Sequence, residues 1–241
     1  MTTKKVHNGI FAAALFITGL FYSDVGKAEA DDDPLLLMGV LDQFEWRDIS
    51  DDNTLSWDAQ GWLGKDFRKL WFKTDGERAG GETEDAELQF LYSKAIASYW
   101  DFQVGIRHDF EPSPSRTWAA IGFQGLAPYF FDTDVALFVG ESGRTALRLE
   151  SEYELLITQR LILTPDIEVN FYGKDDVNVG IGSGLSDVEA GLRLRYEIRR
   201  EFAPYVGINW TKMFGNTADF ARLNGEDISD MQLLVGIRAW F

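Results

Sequence analysis

The chain has 241 residues, and 39 acidic against 23 basic side chains give it a formal net charge of −16 at pH 7. This balance argues against nucleic acid as a partner, because proteins hold nucleic acids mainly through Lys and Arg contacts to phosphate. The absence of cysteine excludes a disulfide framework, thiolate metal sites and cysteine nucleophiles.

The first thirty residues are predicted to be a secretory signal peptide. Lys4 and Lys5 precede a short apolar run from Ile10 to Tyr22, and Ala28-Glu29-Ala30 has the small-x-small pattern of a cleavage site. The apolar run is shorter than the roughly 20 residues that a membrane-spanning helix needs. We therefore expect export and cleavage near Ala30.

The remainder is predicted to be a short periplasmic segment, 31–37, followed by one all-β domain, 38–241. Within that domain, apolar and polar residues alternate in twelve segments, which is the period of a β-strand with two different faces. In chain order the segments are 43–47, 57–63, 69–73, 86–93, 100–107, 117–124, 131–139, 147–155, 163–171, 187–196, 202–211 and 231–241. No later stretch approaches 20 consecutive apolar residues, so a membrane-spanning form requires a closed β-barrel.

Alternation alone does not separate a soluble β-sandwich, with its apolar face in the core, from an outer-membrane barrel, with its apolar face in lipid. The connections favour the barrel. Those after odd-numbered segments are long and polar, as in Thr74–Asp85, Gly173–Ser186 and Phe214–Asp230, whereas those after even-numbered segments are mostly brief, as in Gly64–Arg68. The fold class predicted is an all-β, closed antiparallel transmembrane β-barrel of 12 strands, with short periplasmic turns and longer extracellular loops. We expect a monomer in outer-membrane lipid.

Aromatic residues near the ends of the segments, Trp46, Trp118 and Tyr153 among them, fit the interfacial girdles of such a barrel.

The polar face of the segments is expected to line the lumen. The acidic residues in it are Glu45, Asp58, Glu87, Asp101, Asp134, Glu150, Glu152, Glu154, Asp166, Glu168 and Glu189, and the arginines are Arg47, Arg107, Arg148, Arg193, Arg195 and Arg238. In one interpretation, arginine–carboxylate pairs satisfy the buried charges and plug the barrel. In the other, the excess of acids attracts and passes cations. The sequence leaves both open.

Candidate catalytic residues are few. His108 is the one histidine beyond the signal peptide, beside Asp109 and close in sequence to Ser113 and Ser115. A Ser-His-Asp arrangement depends on spatial geometry, and a solvated or anchoring histidine is the simpler interpretation. We therefore expect no enzyme, and a hydrolase centred on His108 is the weakest of three hypotheses.

Several strings of residues resemble the copper resistance protein B family. They are 41–46 (LDQFEW), 100–107 (WDFQVGIR), 114–120 (PSRTWAA), 125–129 (GLAPY), 158–161 (TQRL), 180–186 (GIGSGLS) and 197–207 (EIRREFAPYVG). The resemblance implies an outer-membrane barrel of a copper tolerance system. It also implies copper ions as cargo and a periplasmic multicopper oxidase or copper carrier as partner.

The chain departs from this family in its supply of soft ligands. Many relatives carry a Met- and His-rich segment before the barrel, suited to copper, whereas residues 31–38 here contribute only Met38. The candidate metal ligands are therefore His108, Asp109, Met38 and Met213, and Met231 belongs to the lipid-facing set. The leading hypothesis is copper binding or passage through the acidic lumen, and the alternative is a plugged barrel that docks periplasmic copper-handling proteins.

Overall fold

A computed structural model describes residues 34–48 and 53–241. The predicted signal peptide lies outside the described residues. The strands are β1 (Leu36–Asp48), β2 (Asn53–Lys65), β3 (Arg68–Ala79), β4 (Glu82–Ala97), β5 (Trp100–Glu111), β6 (Arg116–Ala127), β7 (Phe131–Gly140), β8 (Thr145–Glu152), β9 (Leu155–Leu156), β10 (Leu161–Tyr172), β11 (Gly184–Tyr196), β12 (Phe202–Met213) and β13 (Ser229–Trp240).

These strands form one closed antiparallel barrel. Each pairs with its neighbour along the chain, and β13 returns to pair with β1. Since β8 and β9 both pair with β10, they are two parts of one stave, and the thirteen strands make twelve staves. The predicted 12-stranded closed barrel is confirmed.

The alternation sets which face each residue occupies. Phe44 and Trp46 are exposed on the outside, whereas Glu45 and Arg47 between them are buried in the lumen. The same holds in β13, where Leu233 is exposed and Leu234 is buried. Successive strand side chains point to opposite faces, so this pattern fixes the register of the barrel.

The eighth stave is interrupted between β8 and β9. Opposite the break lies Pro165 of β10, which has no N–H to donate, although its carbonyl accepts a hydrogen bond from the Tyr153 N–H at 3.0 Å. Glu154 lies in the break, and its carboxylate reaches Arg195 at 2.7 Å and Arg238 at 2.9 Å.

Strand β1 carries a bulge at Asp42, where its register with both neighbours shifts. A bulge places two successive residues on one face. Asp42 accepts hydrogen bonds from Arg238 and Gln60, and Gln43 accepts one from Arg193, so both side chains serve the lumen.

The two ends of the barrel differ. The short-turn end carries the connections after β2, β4, β6, β9 and β11, and the opposite, long-loop end carries those after β3, β5, β7, β10 and β12. The prediction of a long loop over Thr74–Asp85 is wrong, because β3 and β4 continue through it to a tight turn at Gly80 and Gly81, both with positive φ. The two longest described connections, 173–183 and 214–228, both lie at the long-loop end.

The connection 214–228 contains a helix, α1 (Gly215–Asn224), where the sequence analysis expected only a loop. The helix ends at Gly225, whose φ of 81° lets its N–H reach the carbonyls of Ala221 and Arg222. Thr217, Ala218 and Ala221 are its buried residues. None of the helices in the described residues is long and apolar enough to span a membrane.

The lumen contains an apolar core. The apolar cluster consists of Leu91, Trp118, Ala120, Phe138 and Ala146, with Trp71, Ala136 and Tyr172 packed against it. Its buried members come from β4, β6, β7 and β8. The sequence analysis placed Trp118 in an outer girdle, and this is wrong: Trp118 is buried and its Nε1–H donates to Asp109 at 2.7 Å.

Candidate functional site in the barrel lumen

The most deeply buried charge in the lumen is Glu45, whose exposed fraction is 0%. Its carboxylate accepts hydrogen bonds from Arg193 at 2.5 Å, Arg47 at 2.9 Å and the hydroxyl of Tyr205 at 3.0 Å. Arg193 also pairs with Asp166. We call this group the Glu45 network. It satisfies its charges internally, as buried ion pairs require.

A second buried group, the Glu87 network, joins staves that are not neighbours. Arg148 of β8 donates through both terminal nitrogens to Glu87 of β4, at 3.1 and 2.9 Å. Arg107 lies 2.6 Å from the same carboxylate and 4.7 Å from the ring centroid of Phe138. The bidentate contact of Arg148 with Glu87 is the strong form of an arginine–carboxylate pair. The network therefore braces the lumen beside the apolar cluster.

Two lysines add lumen contacts that the sequence analysis did not include. Lys73 of β3 donates to Asp134 of β7 at 2.5 Å, and Lys69 donates to Asp101 at 3.2 Å. Lys69 and Lys73 are four residues apart on β3, and this even spacing indicates that both lie on the polar face. Their partners were not predictable, since Lys73 and Asp134 are 61 residues apart.

Four carboxylates lie side by side across neighbouring staves, and we call them the acidic row. Asp134 of β7 is opposite Glu150 of β8, Glu150 is opposite Glu168 of β10, and Glu168 is opposite Glu189 of β11. Directly opposed like charges destabilise a sheet. The row is therefore a costly arrangement, and Lys73, Arg148 and Arg47 are the basic side chains that lie against it.

The acidic row is only partly neutralised by arginine. The Glu150 side chain is 45% exposed although it faces the lumen, and the nearest Arg148 nitrogen is 3.9 Å away. Glu168 lies 3.4 Å from Arg148, and Glu189 lies 3.3 Å from Arg47. These carboxylates remain open to water inside the barrel, in contrast with Glu45 and Glu87.

A second line of acids runs closer to the short-turn end. Asp132 is opposite Glu152, and Glu152 is opposite Asp166. Glu152 also borders a cavity of about 20 Å³ together with the buried Thr164, whose hydroxyl has no protein partner. A cavity of this size holds about one water molecule.

The remaining predicted lumen residues also face inward. Asp58 is register-paired with Asp75 and Gln43, and Asp101 contacts Lys69. Arg195 and Arg238 both bind Glu154 near the short-turn end.

The predicted soft ligands do not come together. The Nδ1 atom of His108 lies 2.8 Å from the Thr117 hydroxyl. The His108 ring packs edge-on against Phe110, which is exposed on the outside of the barrel. Asp109 points the other way and accepts a hydrogen bond from Arg107 at 2.6 Å. His108 and Asp109 thus occupy opposite faces of β5.

The two methionines are farther apart still. Met38 is register-paired with Trp62 near the short-turn end, and Met213 is paired with Asp187 at the long-loop end. Within residues 34–48 and 53–241, no group of three or more His, Cys, Asp or Glu is arranged to hold a metal ion. The set His108, Asp109, Met38 and Met213 is therefore not one preformed site.

The long-loop end is tied together by the connection 173–183. Asp176 is buried and lies 2.9 Å from Arg116, the first residue of β6, and 2.8 Å from Arg144, which precedes β8. On the other side, the Gly182 N–H donates to the Thr217 hydroxyl of α1 at 2.9 Å. The connection therefore links α1 with the far side of the barrel mouth.

Asp175 adds to this link. It accepts hydrogen bonds from the Ser183 N–H at 2.5 Å and the Asn216 side chain at 3.2 Å. The Ser183 bonds, followed by the bond from Asn216, lower the pKa of Asp175 below its usual value.

The closed barrel, its lipid-compatible outer face and its charged lumen define an outer-membrane β-barrel. The porin NanC has a similar solved structure, with a TM-score of 0.55 and 11% identity over 85% of this chain and 99% of that chain. At this identity the likeness concerns the fold alone.

The family is shown by sequence. Residues 35–241 match the model of the family described as Copper resistance protein B precursor (CopB). Copper resistance protein B of Escherichia coli is 50% identical over 202 residues, which cover 84% of this chain and 68% of the relative. A homolog from Pseudomonas syringae pv. tomato is also 50% identical, over 84% of this chain and 69% of its own length. The chain belongs to the copper resistance protein B family, and this membership connects it with copper resistance at the outer membrane.

Proposed function

We propose that the barrel passes copper ions across the outer membrane by way of its acidic row. The observation that carries the proposal is the contrast between two kinds of lumen carboxylate. Glu45 and Glu87 are buried and fully paired, whereas Glu150, Glu168 and Glu189 are open to water and only loosely paired with arginine. Neutral amides, those of Asn170 and Asn209, donate the short hydrogen bonds to Glu168 and Glu189. Loosely paired carboxylates are available to a passing cation.

The absence of a preformed metal site in the described residues suits passage better than storage. Conduction requires contacts strong enough to attract an ion and weak enough to release it. Acids placed on successive staves supply several weak positions around the lumen wall. Because carboxylates are hard ligands and the thioethers of Met38 and Met213 are far apart, the row favours Cu(II) over Cu(I).

Copper entering or leaving at the short-turn end needs a donor or acceptor there. Outer-membrane barrels place their short turns in the periplasm. A periplasmic multicopper oxidase or copper carrier is the partner that we propose for that side.

The test is copper flux into liposomes containing the purified full-length barrel. Replacing Glu150, Glu168 and Glu189 together by Gln is expected to reduce Cu(II) flux at least tenfold, since each removed charge weakens the attraction for a divalent ion by roughly 1 kcal/mol or more. The matched control replaces Glu82, Asp219 and Glu226, which are exposed at the long-loop end, by their amides. If the lumen variant carries copper as fast as the control, the acidic row is not the route.

A second candidate is a docking barrel that moves no copper itself. It is favoured by the apolar cluster and by the Glu87 network, which fill part of the lumen. A wild-type barrel that passes no copper while still supporting tolerance in cells would select this function.

The hydrolase hypothesis is addressed by His108→Ala. This variant is expected to keep full copper tolerance, because His108 bonds to Thr117 and not to Asp109.

A further inference from the structure

Lys73 reaches from β3 to β7 across the lumen. Its neighbours in register are Gln60 and Gln89, which carry no charge, so its ammonium extends past both adjacent staves to Asp134. Asp134 is the first member of the acidic row. Lys73 therefore supplies a fixed positive charge at one end of the row.

The ammonium is surrounded by more than one acid. Besides its 2.5 Å contact with Asp134, it interacts electrostatically with Glu150 and Asp58. A cation moving along the row would meet two of these carboxylates, Asp134 and Glu150. Lys73 thus occupies the position that a passing cation would take.

The chemistry of lysine makes this contact replaceable. A lysine ammonium is a compact charge on a flexible stem, whereas arginine holds a carboxylate with a rigid fork. Arg148 grips Glu87 with two nitrogens, but Lys73 has one hydrogen bond to Asp134. The Lys73 and Asp134 side chains are 17% and 15% exposed, so water and ions in the lumen can reach the pair.

We propose that Lys73 is a tethered counter-ion that sets the charge selectivity of the acidic row. A permeating cation displaces its ammonium from Asp134, and the ammonium returns when the ion moves on. The lysine limits how strongly the row holds cations, which keeps them from being trapped. This inference rests on the proposed cation passage.

The test measures the reversal potential of the full barrel in a planar bilayer under a KCl gradient. Lys73→Gln is expected to raise the K⁺ over Cl⁻ permeability ratio about 25-fold, because removing one unit charge at about 4 Å in water raises K⁺ permeation about fivefold and lowers Cl⁻ permeation about fivefold. For a divalent cation the electrostatic energy changes by twice as much, so its release from the row is expected to be roughly thirtyfold slower. Lys73→Arg should keep the K⁺ over Cl⁻ permeability ratio within twofold of the wild type, because the charge is unchanged. Its conductance should be lower, because the guanidinium fork releases Asp134 less readily.

Two further variants separate selectivity from misfolding. Asp134→Asn keeps the lysine and removes its partner, so it should lower the cation preference below that of the wild type. Lys69→Gln removes a lumen lysine that pairs with Asp101 instead of with the row, and it should change the ratio less than twofold. Resistance of the folded barrel to SDS at room temperature checks that each variant is closed.

The outcomes distinguish the two proposals. If the wild type conducts cations and Lys73→Gln and Lys69→Gln behave alike, the role of Lys73 is overturned and the proposed passage survives. If Asp134→Asn raises the cation preference, the role of Lys73 is also overturned. If the wild type conducts no ions at all, both proposals fail.

Discussion

Substitution of Glu45 by Gln tests how far the lumen depends on its buried ion pairs. The change preserves the size of the side chain but removes the charge that holds Arg47, Arg193 and the Tyr205 hydroxyl. Two guanidinium groups would then face each other around a neutral amide. Breaking a buried pair from one side costs about 3–5 kcal/mol, and we expect the free energy of unfolding to fall by about that amount.

Glu150→Gln is the matched control, since it makes the same chemical change on the same face of the barrel. Glu150 is 45% exposed and its nearest arginine nitrogen is 3.9 Å away. An exposed pair of this kind contributes about 0–1 kcal/mol. Relief of repulsion from Glu168, directly opposite, offsets part of this loss.

Urea unfolding of the barrel in phospholipid vesicles, followed by the fluorescence of its 8 tryptophans, measures both values. Equal losses for Glu45→Gln and Glu150→Gln would show that burial does not separate the two classes of carboxylate. That result would also weaken the basis of the proposed function, which depends on the same contrast.

Two other predictions concern the ends of the barrel. Asp176→Asn removes the charge that binds Arg116 and Arg144, so the connection 173–183 should be cleaved by added protease about tenfold faster. Asp219→Asn, at an exposed helix residue paired with Arg222, should have no such effect. Deletion of Phe241 removes two backbone hydrogen bonds of 3.0 Å with Gly39 at the seam between β1 and β13, and it should lower the temperature at which the barrel loses its SDS resistance; an unchanged temperature would mean that the seam is held by the rest of β13.

The sequence predicted the barrel because its period of two maps directly onto the two faces of a strand. The same period carries no information about which lumen residues meet. Arg193 and Glu45 are 148 residues apart, and their contact depends on barrel closure and on the tilt of the staves. The bulge at Asp42 was also not predictable, because nothing in the local pattern requires two successive inward residues.

The other features that were wrongly predicted from the sequence have local physical reasons. Trp118 lies near a strand end, as a girdle residue would, but the register of β6 turns it inward to Asp109. The charged residues between Thr74 and Asp85 resemble a polar loop, so the sequence did not show that β3 continues to Ala79 and that β4 begins at Glu82. Such residues are ordinary in a hairpin that ends in water. The helix α1 has only modest amphipathic character, and tertiary contacts through Thr217 hold it in place.

The apolar cluster gives this membrane protein, in one part of its lumen, a dry core of the kind found in water-soluble domains. Its residues are removed from water whatever lipid surrounds the barrel, and such burial contributes about 25 cal/mol for each Å² of apolar surface. The outward residues, such as Ile121, depend instead on the thickness and composition of the bilayer. The barrel therefore has one source of stability that travels with the chain and another that is supplied by its host membrane.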